Sequence, residues 1–279
     1  MAKIPAQNDA VFRKLIRRVS KLEKQATPEN VHGFRSASRR VEALIGELAA
    51  QASSNDKKLL KRLARLRRKA GKVRDLDAQL SALRSLKIPQ EASRKSRLIH
   101  TLGDSRATAQ KKLHKALDRK SAKEIRERAK RAAKQFEASP NMSPVAIAKR
   151  ILNAVSSTGS AEETLHSYRI AGKRARYIAE LANDDPAAKV LIDQLRQMQD
   201  RIGEWHDWLQ LTTRAQKLFG GPSDSALVAA LRNLTRAKYR QALTGLDAAR
   251  AAWADGKKPQ AAEVTAKPVA AAPIRPAVA

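Results

Sequence analysis

The chain has 279 residues, of which 57 are Lys or Arg and 27 are Asp or Glu, so its formal net charge is +30. Cysteine is absent, which excludes disulfides, thiolate metal sites and cysteine nucleophiles. Aromatic residues make up only 4%, and the abundance of Ala, Leu, Lys and Arg predicts an all-α fold. A chain this basic is expected to meet a polyanion such as nucleic acid, anionic lipid or polymeric phosphate.

Helix-start signals predict four helices, a linker at 140–144, and four more helices. The first four helices are 8–25, a helix opened by Thr27-Pro28, 55–86 and 89–117. A short basic segment at 121–136 follows them, and a Ser121–Glu124 capping box opens it. The four helices after the linker are opened by Ser143, Ser160, Asp185 and Ser223. The halves are therefore 1–139 and 140–255. Residues 256–279, rich in Ala, Pro and Lys without periodicity, are predicted to form a disordered tail.

The two halves carry an internal duplication. Residues 31–49 align with 165–183, and the long helices that follow also align, with their apolar positions at alternating spacings of four and three. The matched pairs are Leu59 with Leu191, Leu63 with Leu195, Leu66 with Met198, Ala70 with Ile202, Val73 with Trp205, and Leu76 with Trp208. This spacing is typical of core positions, so the repeat predicts two related helical bundles.

A cationic stripe runs along one face of the duplicated helix, at about 100° per residue. The stripe residues are His32, Arg35, Arg39 and Arg40 in the first copy, and His166, Arg169, Lys173, Arg174, Arg176 and Tyr177 in the second. Apolar residues occupy the opposite face. Because neighbouring like charges destabilise a helix and no acid interrupts either stripe, the pattern favours a bound anion over a merely solvated face.

The long helix of the first half adds a further row of cations beside its core seam. The row consists of Lys61, Arg65, Arg68 and Lys72, and its counterparts in the second half are Asp193, Gln197, Asp200 and Glu204. The first half is therefore expected to contribute more charge than the second, and Arg65, Arg68 and Lys72 are grouped with the stripes as candidate residues for binding the polyanion. The stripe histidines have cations around them instead of carboxylates, so neither a metal nor another cofactor is expected. Near neutral pH, an imidazole beside a polyanion could gain a proton and donate hydrogen bonds from both nitrogens.

These motifs resemble the CHAD domain, an α-helical domain named for its conserved histidines. The resemblance covers roughly residues 8–254 and rests on VHxxRxxxRR at 31–40, LHxxRxxxKRxRY at 165–177, GKVRDLD at 71–77 and GEWHDWL at 203–209. It implies two four-helix bundles related by an approximate twofold, with basic helices lining a central groove that binds inorganic polyphosphate. Stand-alone members resemble proteins of polyphosphate granules, which implies a cytoplasmic location on such granules.

Three functions compete at this stage. The first is polyphosphate binding without catalysis, since the sequence has no phosphate-cradling glycine loop and no paired carboxylates near the cations. The second is nucleic-acid binding through the lysine-rich segment 111–134 and the tail, although only Tyr177 could stack on a base from a stripe. Weaker nucleic-acid binding could also accompany the first function. A polyphosphate kinase or phosphatase ranks last, and no stretch is apolar enough to predict a membrane span.

Overall fold

The computed structural model describes residues 4–139, 143–156, 159–182 and 184–255. Their regular structure is helical, apart from one isolated β-bridge between Ala49 and Ala138. The helices are α1 Ile4–Lys24, α2 Pro28–Leu48, α3 Ser54–Ser85, α4 Ala92–Ala116, α5 Arg119–Gln135, α6 Pro144–Asn153, α7 Ala161–Ala179, α8 Pro186–Phe219 and α9 Ala226–Asp255, with 3-10 turns at Pro89–Glu91 and Glu180–Ala182. The all-α prediction is confirmed. Most of the predicted linker and the whole predicted tail lie outside the described residues.

The first half contains five helices among its described residues, one more than predicted. The basic segment forms a full helix, α5, because it buries an alanine-rich face and packs against α1. Its N-cap is Asp118, whose carboxylate accepts a hydrogen bond from the Ser121 amide at 2.7 Å, so the predicted Ser121–Glu124 capping box is wrong. Glu124 instead forms ion pairs with Arg62 and Arg128.

Most other helix starts agree with the sequence. Thr27, Ser143, Ser160 and Asp185 cap α2, α6, α7 and α8 through their side chains. The last helix begins slightly later than predicted: the Ser225 hydroxyl accepts from the Val228 amide at 3.4 Å. Capping signals therefore located these ends because they depend on a few adjacent residues.

The apolar positions of the long helices form two cores. Of the twelve residues matched in the duplication, all are buried except Trp208, which is partly buried. One core joins α1–α5 to parts of the second half, and the other belongs to α6–α9. Helices α8 and α9 contribute to both: Ala215 and Leu231 pack in the first core, and Leu195 and Leu246 in the second.

Equivalent helices of the two halves meet at the centre of the molecule. Helix α2 contacts its counterpart α7, and α3 contacts its counterpart α8. Contacts between equivalent helices are expected near the axis of a twofold relation. The pseudo-twofold itself stays a prediction, but the packing brings both cationic stripes to one region.

Candidate functional site

Four cations from the two stripes converge between α2 and α7. We call Arg35, Arg39, Arg169 and Lys173 the central cation cluster. Burial, and then the charge of Arg169, Arg39 and Arg35, lowers the pKa of Lys173 to about 7. Burial also lowers the pKa of Arg35 and of Arg169, and Arg39 adds to both effects. The stripes therefore face each other closely enough for their charges to interact.

Arg35 is held in place by the backbone of the neighbouring helix α3. Its guanidinium Nη1 donates a hydrogen bond to the carbonyl oxygen of Arg67 at 3.2 Å. This close approach depends on Gly71, because a Cβ added there would lie 2.5 Å from the same Nη1 atom. The duplicated glycine motif thus has a local role in the first half. Its counterpart Gly203 has nothing within 4 Å of such a Cβ.

Two duplicated aspartates lie beside the cluster, and the sequence reading assigned them no role. Asp75 raises the pKa of Arg35, and Asp207 raises that of Arg169, in both cases against the larger effect of burial. Asp207 also lies 3.8 Å from Arg74, across the boundary between the halves. Burial raises the pKa of Asp207, and the charges of Arg74 and Arg169 oppose that rise. The two aspartates occupy matching positions in the repeat, and this match is the sequence signal that could have indicated their role.

Two cavities have residues of the cluster in their lining, and a third opens at the Arg74–Asp207 ion pair. The first, about 520 Å³, is lined by Arg35, Arg39, Ala64, Arg67 and Arg68. The second, about 380 Å³, contains His166, Arg169 and His206 among its lining residues. The third, about 710 Å³, contains His32, Arg74, Asp207 and the partly buried Trp208. The two stripe histidines therefore line different cavities.

Burial and neighbouring cations favour the neutral imidazole at His32 and at His206. Loss of hydration and the charges of Arg74 and Arg35 lower the pKa of His32. Burial, followed by the charge of Arg169, lowers the pKa of His206 to about 4. His206, which lies in the GEWHDWL motif, lines the second cavity but was not among the predicted site residues. An imidazole in this state offers one donor and one acceptor.

Three stripe arginines make ion pairs inside the protein. Arg40 Nε lies 2.7 Å from Glu180 Oε2, and Arg176 Nε lies 3.9 Å from the other oxygen of Glu180. Arg174 pairs with Glu47, whose side chain is buried. Arg40 and Arg174 occupy equivalent positions, and each reaches a glutamate of the other half. Their main contacts therefore join α2 to α7 and to the 3-10 turn that follows α7, and they are not free cations as the sequence suggested.

Tyr177 is buried, which corrects its prediction as an exposed aromatic residue on the stripe. Only 5% of the residue is exposed, and the ring belongs to the first hydrophobic core. The guanidinium carbons of Arg40 and Arg176 lie 5.1 and 5.2 Å from the ring centroid. These cation–π contacts hold the two arginines in place. The ring is not available for stacking on a ligand.

The row on α3 divides between two places. Arg68 lines the 520 Å³ cavity together with Arg35 and Arg39. Arg65 and Lys72 instead line a groove between α3 and α4, in which Arg68 also takes part. The sequence grouped all three with the stripes, because a helical projection cannot show where the next helix packs.

The family model for the CHAD domain matches residues 6–216. The chain belongs to the CHAD domain family. This match ends before α9, whereas the resemblance read from the sequence extended to about residue 254. No curated protein matches the chain in sequence.

Two solved structures share the fold. The CHAD domain from the plant Ricinus communis is 18% identical, with a TM-score of 0.63 and coverage of 92% of both chains. PptA from Streptomyces chartreusis is 16% identical, with a TM-score of 0.66, and the alignment covers 90% of this CHAD chain and 98% of PptA. Among the described helices, none offers an apolar stretch of bilayer length. The described residues also contain no cluster of His, Asp and Glu side chains suited to a metal ion.

Proposed function

We propose that this CHAD protein binds inorganic polyphosphate without catalysis, as a cytoplasmic protein of polyphosphate granules. The observation that carries the proposal is the convergence of Arg35, Arg39, Arg169 and Lys173 from both halves into one half-buried region. Asp75 and Asp207 balance only part of this charge. Partly dehydrated cations that repel one another are stabilised by an anion, and arginine forks match phosphate oxygens.

The shape of the site favours a bare phosphate polymer over a nucleic acid. The cluster is reached through separate cavities of about 520 and 380 Å³, which suit a thin, flexible chain better than a duplex. Single-stranded nucleic acids gain much of their affinity by stacking bases on exposed aromatic rings. Tyr177, the aromatic residue on the stripes, is buried. Charge density without base recognition is therefore the better match.

Two carboxylates beside the cluster, Asp75 and Asp207, have cationic neighbours, which supports binding over chemistry. Asp207 faces Arg74, and Asp75 interacts with Arg35 and Arg169. Both acids therefore orient cations, which is the arrangement expected of a static anion site.

The proposal is tested by comparing two double variants that remove the same charge. The first variant, Arg39→Gln with Arg169→Gln, removes two charges from the central cluster. Because two charge-assisted contacts contribute about 3 kcal/mol together, it should lower polyphosphate affinity roughly 100-fold. Arg40→Gln with Arg174→Gln alters the paired arginines of the same motif. It should lower the melting temperature but change affinity by about threefold or less.

Filter binding with labelled polyphosphate measures both effects, and circular dichroism checks that the variants fold. Equal losses of affinity in the two variants would show that net charge alone attracts the polymer. Displacement of the label by duplex DNA at equal phosphate concentration would transfer the assignment to nucleic acid. Binding that survives an excess of DNA supports the proposal.

A further inference from the structure

A second cationic groove lies between α3 and α4, outside the central cation cluster. Its volume is about 310 Å³, and its lining consists of Arg65, Arg68, Lys69, Lys72 and Lys112 together with Ala109. Among the residues that the structure describes, no acid lines this groove. We call it the α3–α4 groove.

The cations of the α3–α4 groove have no protein partners. Within the described part of the chain, none of the five makes an ion pair or a hydrogen bond to another side chain or to the backbone. By contrast, Arg62, on the same helix, pairs with Glu124 at 2.6 Å. Acids are therefore within reach of α3, but none faces this groove.

This arrangement costs stability in the absence of an anion. Lys72 lies four residues after Arg68 and three after Lys69. Arg65 lies three residues before Arg68 and four before Lys69. Like charges at these spacings destabilise a helix by a few tenths of a kcal/mol per pair, roughly. Lys112 adds a further positive charge from α4. Such a row is expected where an anion neutralises it.

The matching positions of the second half carry acids in place of two of these cations. The positions that match Arg68 and Lys72 are Asp200 and Glu204, and Glu204 pairs with Lys238 of α9 at 2.8 Å. The corresponding surface is therefore balanced by acids. The cationic lining of the α3–α4 groove is therefore specific to the first half and is not a feature that both copies of the repeat share.

Arg68 connects the groove to the central cluster. Its side chain lines both the α3–α4 groove and the 520 Å³ cavity that contains Arg35 and Arg39. From Arg65 to Lys72 the row extends the cationic surface by about 10 Å of helix axis. A polymer held at the cluster can therefore pass Arg68 and continue along α3.

We propose that the α3–α4 groove is a second binding segment for a phosphate polymer, which extends from the central cluster across the first half only. This inference rests on the proposed function and adds a direction and a length dependence to it. Short chains fill the central cluster alone. Long chains also occupy the groove and release more counterions.

The test uses the variant Arg65→Gln, Lys69→Gln, Lys72→Gln, which leaves Arg68 intact. All three side chains are at least partly exposed, so the fold should tolerate their replacement. For long polyphosphate, the loss of three contacts should lower the slope of log affinity against log salt by about 2, and the affinity by roughly tenfold at moderate salt. Affinity for a short oligophosphate should stay within about twofold.

The matched control is Lys120→Gln, Lys123→Gln, Lys134→Gln on α5, which removes the same charge from exposed lysines away from both sites. It should leave long and short chains nearly unaffected. The inference is overturned if the groove variant behaves like this control, or if it weakens short and long chains equally. If the unaltered protein binds neither chain, the proposed function itself fails, and that outcome is distinct from a failure confined to the groove variant.

Discussion

Replacing Lys173 by Met is expected to stabilise the folded protein, and most strongly below neutral pH. Burial and the surrounding arginines lower the pKa of Lys173 from 10.5 to about 7. The folded state therefore disfavours the lysine proton, whereas the unfolded state keeps it up to its ordinary pKa. Between these values the unfolded chain binds more protons, so the stability of the unaltered protein rises with pH and the cost is fully present below pH 7.

The size of the effect follows from the shift. From pH 7 to pH 9 the folded protein regains on the order of 2 kcal/mol as Lys173 loses its proton, and the Lys173→Met variant lacks this gain. Urea unfolding followed by circular dichroism at several pH values gives the free-energy difference between the two proteins, in which other titrating groups cancel. The advantage of the variant should shrink by that amount as the pH rises. A difference that is constant from pH 6 to pH 9 would refute the assigned environment of Lys173.

Two further predictions concern the same region. Gly71→Ala should lower polyphosphate affinity several-fold by displacing Arg35, while the higher helix propensity of alanine offsets the loss of stability. Gly203→Ala should raise the free energy of unfolding by about 1 kcal/mol without any change in filter binding. Equal polyphosphate binding by the two variants would contradict the role assigned to Gly71. Polymer binding should also cause uptake of about 0.5 proton at pH 7, because a nearby polyanion raises the pKa of Lys173. Calorimetry in buffers of different ionisation enthalpy measures this uptake, and it should fall by about that amount in Lys173→Arg.

Local sequence signals were enough to predict the helices and most of the core. Caps such as Ser160 and apolar positions such as Leu63 and Leu195 were recognised because each depends on neighbours within one or two helical turns. The exception was α5. Its buried face, Ala122, Ile125, Ala129 and Ala132, follows helical spacing, but alanines bury little apolar area and the segment was predicted only as a short basic stretch.

The site was only partly predictable, because tertiary contacts decide which stripe residues stay free. Arg40 and Arg174 look like Arg35 on a helical projection, but Glu180 and Glu47, which are remote in sequence, neutralise them. The same projection placed Tyr177 on the cationic face. That end of α7 is covered, because α2 packs against α7 and α1 contacts the turn that follows it.

The sharing of α8 and α9 between the two cores has a consequence for the history of the fold. Leu231 of α9 packs in the first core, and the first-half residue Glu91 accepts a hydrogen bond from the Ala226 amide at 3.1 Å. Cutting the chain between its halves would expose apolar surface on both fragments. We therefore expect the repeated units to depend on each other for folding, since the central cation cluster lies between them and each half alone would lack the contacts that hold it.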